Sequence, residues 1–154
     1  MPIGYRMNAL SPSASSTMVR DVMSSPVRTV GADDSAREAS ARMRGSHILH
    51  LVVLDDGGHV VGVISDRDLR AAQPSTLLVK DPTMREKALS LMKVRDVMSP
   101  HPHTVDATAP ATDALRVMRR ERIGCVPVVD RHGSVVGVVT GGDVVNLALK
   151  LLSA

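Results

Sequence analysis

Two hydroxyl–acid pairs carry the chemistry this sequence offers. Ser65 and Asp68 follow the apolar run Val60-Val61-Gly62-Val63-Ile64, and Thr140 and Asp143 follow Val135-Val136-Gly137-Val138-Val139. A β-branched run ending in Ser or Thr, with an acid three residues on, predicts a strand turning into a helix. Two uses of that geometry stay open. In one, the hydroxyl and the acid only cap the helix and satisfy its first N–H groups. In the other, the outward-facing N–H groups and the positive helix end seat a phosphate, the hydroxyl adds a hydrogen bond, and the acid accepts both hydroxyls of a ribose.

The residues between hydroxyl and acid separate the two copies. Asp66-Arg67 aligns with Gly141-Gly142. Arg67 can pair with a phosphate, which Asp66 would oppose. Gly141 and Gly142 bring no charge but let a ligand approach the backbone closely. If the sites are unequal, the Ser65 copy is expected to prefer the more highly charged anion. His101-Pro102-His103 supplies two histidines, too few for a closed zinc site, and no Cys or second His pair has ligand spacing. A solvated turn is expected there, and no metal. Cys125 has no His and Asp partners in a recognisable arrangement, so it is expected to pack as a small apolar residue rather than act as a nucleophile. Gly57-Gly58 and Gly141-Gly142 are too short, and differently placed, for a Walker or dinucleotide loop. No triad, metal set or carboxylate pair points to an enzyme.

The elements that must hold these residues repeat. Asp68 and Asp143 are 75 positions apart (143 − 68), and Val19-Arg20-Asp21-Val22-Met23-Ser24 recurs unchanged at the same offset as Val94-Arg95-Asp96-Val97-Met98-Ser99. Two separated matches at one spacing predict a tandem repeat. Repeat one, residues 18–72, reads as a helical turn at 19–23, a strand at 27–30, and a helix at about 35–44 capped by Asp33-Asp34-Ser35. That helix carries Ala36, Ala39 and Met43 inward. A buried strand at 48–54, the turn Asp55-Asp56-Gly57-Gly58, a strand at 59–64 and a helix from Ser65 follow. Residues 73–93 form a connector outside both repeat cores, with a helix capped by Thr83 and Glu86. Repeat two, residues 94–152, retraces the order: a turn at 94–98, a strand at 103–105, and a helix at about 110–121 with Ala111, Ala114, Leu115 and Met118 on one face. Strands at 125–129 and 134–139 and a helix from Thr140 to about Leu152 complete it. Each unit is β-α-β-β-α, an α/β (α+β) arrangement, and neither buries its apolar faces alone. The two are expected to pack sheet to sheet about a pseudo-twofold axis. In the last helix Val144, Leu147, Ala148 and Leu151 make one stripe, which leaves Val145, Leu149 and Leu152 on an adjacent apolar face that calls for cover.

The totals narrow the function classes. The chain has 154 residues, is 44% hydrophobic and 23% charged, and carries a net charge of +3. That composition argues for a globular protein and against disorder. One Tyr and no Phe or Trp argue against binding single-stranded nucleic acid by stacking. Scattered Lys and Arg favour anionic ligands without making a nucleic-acid stripe. One cysteine fits a reducing cytoplasm, and no run approaches a membrane span. Residues 1–17, rich in Ser, Ala and Pro, are expected to be a flexible tail.

With motifs and repeats combined, the sequence resembles a CBS-domain pair, also called a Bateman module. The resemblance rests on Val94-Arg95-Asp96-Val97-Met98 at a repeat start, Val126-Pro127-Val128-Val129-Asp130 in the middle, and Gly137-Val138-Val139-Thr140 with Asp143 at the end. It covers about residues 18–152. Ser65-Asp66-Arg67-Asp68-Leu69, with Pro74-Ser75 and Ile123-Gly124-Cys125-Val126-Pro127-Val128-Val129, is similar to the acetoin-utilisation AcuB type. The resemblance implies a regulatory module that binds adenine nucleotides (AMP, ADP or ATP) as regulatory ligands, with no cofactor, in clefts between the repeats. It assigns Asp68 and Asp143 to the ribose. It places Ile123, Gly124 and Cys125 beside the Ser65 cleft, Ile48, Leu49 and His50 beside the Thr140 cleft, and Met23 and Met98 near the bases. His50 also starts its own repeat's buried strand and can reach phosphate on the Ser65 side, or be an ordinary hydrogen-bonded histidine. Repeat one departs from the family pattern, since Val52 stands where Pro127 stands. The resemblance further implies a homodimer through helices, a protein target acted on in trans, and no nucleic acid or membrane. Two rival readings are an interaction dimer with empty clefts and a module for another adenosyl ligand such as S-adenosylmethionine.

Overall fold

The structure, a computed structural model, describes residues 17–153. The expected tail lies outside the described residues, Thr17 excepted. The described residues build two sheets and six α-helices. In repeat one, a 3-10 turn at Val19–Asp21 leads to β1 (Thr29–Gly31), α1 (Ala36–Ser46), β2 (His50–Leu54), β3 (Val60–Ser65) and α2 (Asp66–Ala72). The link carries α3 (Pro82–Ser90). Repeat two runs α4 (Val94–Val97), β4 (Ser99–Pro100), β5 (Val105–Asp106), α5 (Ala111–Glu121), β6 (Cys125–Val129), β7 (Val135–Thr140) and α6 (Gly141–Leu152).

The two repeats are wired alike. β1 pairs parallel with β2, which pairs antiparallel with β3. β5, β6 and β7 repeat that order and register, His50↔Ser65 answering Cys125↔Thr140. Leu51, Val52 and Val53 are buried in β2, as are Val126 and Val128 in β6. These strands take residues from both faces of the core, so they read as unbroken apolar runs.

The repeats also exchange their opening segments. Val19 and Met23 pack in the core of repeat two, while Val94, Val97 and Met98 pack in the core of repeat one. The Val19 N–H donates to the Ala109 carbonyl at 2.8 Å, and the Val94 N–H donates to the Asp34 carbonyl at 2.9 Å. Ser99 pairs with Val63 at the edge of β3, and Ser24 pairs with Val138 at the edge of β7. Each unit completes the other's core, which is the physical content of the pseudo-twofold packing.

The exchange depends on two glycines. A Cβ on Gly62 would strike Met98, and one on Gly137 would lie 2.6 Å from Met23 Sδ and 2.9 Å from the Ser24 carbonyl oxygen. Ser24 and Val138 exchange both backbone hydrogen bonds, at 2.8 and 3.1 Å, so that carbonyl cannot simply retreat. Gly137→Ala is expected to destabilise the fold by roughly 1–3 kcal/mol through overpacking, read from urea unfolding. Gly141→Ala, where an added Cβ meets nothing within 4 Å, should unfold close to the parent. Equal stability of Gly137→Ala and the parent would show that the exchanged segment yields freely.

Several local expectations are corrected. β1 begins at Thr29 rather than residue 27, and β5 at Val105 rather than 103. Ile48 and Leu49 precede β2 instead of opening it. α3 is capped by Asp81, not by Thr83 with Glu86: the Asp81 carboxylate accepts from the Thr83 N–H at 2.9 Å and the Thr83 hydroxyl at 2.7 Å. Pro82 follows at the first helical position, where its fixed φ and missing N–H cost nothing. The connector is not outside both cores, because Leu89 is buried in the core of repeat one. On α5 the packed stripe is Ala111, Ala114, Val117 and Met118, with Leu115 left off the cluster.

Candidate ligand-binding clefts

Both hydroxyl–acid pairs realise the capping geometry. Asp68 Oδ2 accepts from the Ser65 N–H at 2.8 Å and the Ser65 hydroxyl at 2.7 Å, and the Asp68 N–H donates to Ser65 Oγ at 3.1 Å. Asp143 Oδ2 accepts from the Thr140 N–H at 2.7 Å and the Thr140 hydroxyl at 2.9 Å. The first N–H groups are further satisfied by the residue ahead of each buried strand: Asp66 N–H donates to Leu49 and Gly141 N–H to Gly124. Capping alone does not account for the space around them, because Ser65 with Asp68, and Thr140 with Gly141 and Gly142, each border a cavity between the repeats.

The Ser65 cleft is about 460 Å³. Repeat one supplies His50, Val63, Ser65, Arg67 and Asp68, and repeat two supplies Ile123, Gly124 and Cys125. The Thr140 cleft is about 900 Å³ and gathers Thr140, Gly141 and Gly142 with Met23, Ile48, Leu49 and His50. His50 and Gly124 line both. Two expected residues stand apart. Met98 does not line the Ser65 cleft; it lies over Gly62 against the core of repeat one. Asp143 does not line the Thr140 cleft, for it is only 8% exposed and Ser24 Oγ donates to its Oδ1 at 2.6 Å. Among the described residues, no hydrogen bond reaches Asp68 Oδ1 from Ser99, the counterpart of Ser24.

Charge divides the clefts as well. Arg67, His101, His103 and Arg122 bring cationic or titratable groups to the Ser65 cleft, against Asp68 and Glu121. The Thr140 cleft has Arg28, His47 and His50 with a largely apolar wall. Burial holds the His50 imidazole below its ordinary range, and the Asp68 carboxylate pulls it partly back. Burial, with Asp143 nearby, pushes the Cys125 thiol up to about 12. It stays a thiol at neutral pH and has no nucleophilic character there.

Sequence reasoning missed one wall of each cleft. Ser99 to His103 and the end of α5, Glu121 and Arg122, face the Ser65 motif. Ser24 to Pro26 and the end of α1, Gly45 to His47, face the Thr140 motif. The repeat offset was the available signal, since these two walls lie 75 positions apart. His101 and His103, read as a solvated turn, are exposed but belong to the cleft.

A family model for the CBS domain matches residues 19–75 and 94–150. Among solved structures, an acetoin utilisation protein (AcuB) from Vibrio cholerae is 28% identical with a TM-score of 0.72, over 89% of this chain and 93% of that one. CBSX2 in complex with AMP is 29% identical with a TM-score of 0.69, over 87% and 97%. The CBS domain pair of protein MJ0100, solved with 5′-methylthioadenosine and S-adenosyl-L-methionine, is 27% identical with a TM-score of 0.70, over 87% and 97%.

Proposed function

Because this chain belongs to the CBS-domain family and carries two copies of the domain, we propose that it is a regulatory module for adenine nucleotides. AMP, ADP or ATP binds in one or both clefts, and the bound state biases a separate protein target. The observation that carries this reading is the duplicated hydroxyl–acid helix start opening onto paired cavities between the repeats. The AMP held by CBSX2 supports the ligand class. No catalytic step is proposed. Among the described residues no helix is long and apolar enough to cross a membrane, and a cytoplasmic homodimer is the working assembly. A ligand regulates only if it binds one of two states better, so the target must sense a ligand-dependent shape or association.

A second reading has support of its own. The wider Thr140 cleft carries Leu49, Ile48 and Met23 and fewer charged side chains, Arg28 with no acid against it, and its apolar wall suits an adenosyl ligand with a long uncharged part. The pair from MJ0100 was solved with such compounds. Calorimetric titration with adenosine, AMP, ATP and S-adenosylmethionine separates the readings, and a native mass spectrum of the purified protein reports any carried-over ligand. Saturable binding of none of these would leave an interaction protein with empty clefts.

Within the nucleotide reading, Arg67→Ala should weaken ATP by roughly tenfold, the worth of one charge-assisted contact. Adenosine should be affected little. Arg67 is exposed in the Ser65 cleft and, among the described residues, makes no ion pair. Equal losses for both ligands would instead point to packing.

A further inference from the structure

Among the described residues, three side-chain-bearing residues adopt positive φ: His47 at 53°, His101 at 53° and Arg122 at 54°. All three line a cleft, His47 the Thr140 cleft and the other two the Ser65 cleft. All three carry basic side chains. A left-handed backbone costs such residues free energy that glycine would not. His47 and Arg122 end α1 and α5 in the left-handed cap conformation, where glycine is the usual occupant. The helix dipole favours a base near such an end, but it gives no reason for the residue in the left-handed position to be one rather than glycine.

A second observation concerns partners. Among the described residues, Arg37, Arg42, Arg44, Arg70, Arg95, Arg116 and Arg120, half of the arginines, each sit within reach of a carboxylate, while Arg20, Arg28, Arg67, Arg119 and Arg122 make no ion pair. Among the described residues, Arg67 and Arg122 make no ion pair and no side-chain hydrogen bond, and both line the same cavity from different repeats. Glu121, which borders that cavity beside Arg122, is taken by Arg120 and His103. Two of the first N–H groups of the seven-residue α2, those of Asp66 and Asp68, are also spent on Leu49 and Ser65. An anion in this cleft therefore draws chiefly on side chains.

We infer that Arg122 and His101 form an anion-gripping rim, supplied by repeat two, that faces the Ser65–Arg67–Asp68 motif and makes this cleft selective for multiply phosphorylated nucleotides. The inference rests on the nucleotide reading above. The base and ribose lie against the Ser65 wall, and the outer phosphates extend between Arg67 and Arg122. Two free guanidiniums supplied by different repeats to one cavity match a chain of phosphates better than a single phosphate.

Arg122→Gly provides the test, because glycine suits the left-handed position and should keep the fold. The variant is expected to melt about 2–4 °C above the parent as strain is relieved. It should bind ATP roughly ten- to a hundredfold more weakly, the loss of a charged hydrogen bond, while adenosine affinity stays at the parent's value. Arg122→Lys should recover much of the ATP affinity, and Arg122→Asn should behave as the glycine variant. A parent that binds neither adenosine nor ATP overturns the nucleotide reading itself. A parent that binds both, with Arg122→Gly binding ATP equally well, overturns the rim and leaves the nucleotide reading standing. Equal loss of adenosine and ATP in Arg122→Gly also overturns it, since it would mark a shaping role for the helix end.

Discussion

Asp68→Ala is expected to weaken AMP and ATP by roughly ten- to a hundredfold, while Asp143→Ala costs about 1–3 kcal/mol of stability and leaves affinity nearly unchanged. The sequence treats these acids alike, yet the geometry separates them. Each uses Oδ2 to cap its helix. Asp143 also accepts from Ser24 and is buried, so it ties the opening segment of repeat one to α6. Its removal strands the Ser24 hydroxyl and the Thr140 N–H. Asp68 lines the Ser65 cleft and, among the described residues, keeps Oδ1 without a partner. A ribose hydroxyl donating to that oxygen would make a charge-assisted bond that Ala cannot replace. Asp68→Ala also loses a helix cap, worth about 1 kcal/mol, so its melting point should fall a few degrees at most. Calorimetry at a temperature well below both transitions reads affinity without interference from unfolding. Strong loss of binding in Asp143→Ala, with Asp68→Ala binding like the parent, would reverse the assignment.

Which features were legible in the sequence follows from how local their causes are. The buried stripe Ala36, Ala39 and Met43 shows in helical spacing, and β6 at Cys125–Val129 shows in an unbroken apolar run. The Ser65 and Thr140 helix starts show because capping is a three-residue affair. The exchange of opening segments does not show. Val19 and Val94 sit in a single turn each, too short to display a period, and their partners lie across the repeat boundary. Leu89 was missed for a similar reason, since the apolar residues of α3 make no single stripe and only that one side chain is buried. The far walls of the clefts were hidden because loops carry no periodicity. His101 to His103 read as a turn until the fold set them, with Ser99 and Pro100, beside Ser65. Asp143 illustrates the converse: its motif was plain, but its engagement by Ser24, 119 residues away, was not.

Leu149→Glu is expected to convert a homodimer into monomers. Of the twelve residues of α6, only Asp143 is buried. Val145 and Leu149 are each 58% exposed and Leu152 is 84% exposed, and they fall at i, i+4 and i+7 on one face. Leu151, expected to face inward, is itself 44% exposed, which broadens the apolar surface beyond a single stripe. A helix apolar on this much of its circumference needs cover. The connector does not supply it, because α3 lies against α1 in repeat one. A second copy of the same face is the self-complementary solution, and a twofold contact of this kind repeats each residue in both subunits. One glutamate per chain then places two uncompensated carboxylates in the contact, raising the dissociation constant by roughly a hundredfold or more. Sedimentation velocity across a micromolar dilution series measures this directly. Leu78→Glu is the control, since Leu78 is 85% exposed in the connector and should leave the dimer intact. Release of monomers by Leu78→Glu alone would move the interface to the connector. A parent that sediments as a monomer throughout the series would remove the dimer altogether, and the α6 face would then have to be covered by the regulated protein itself.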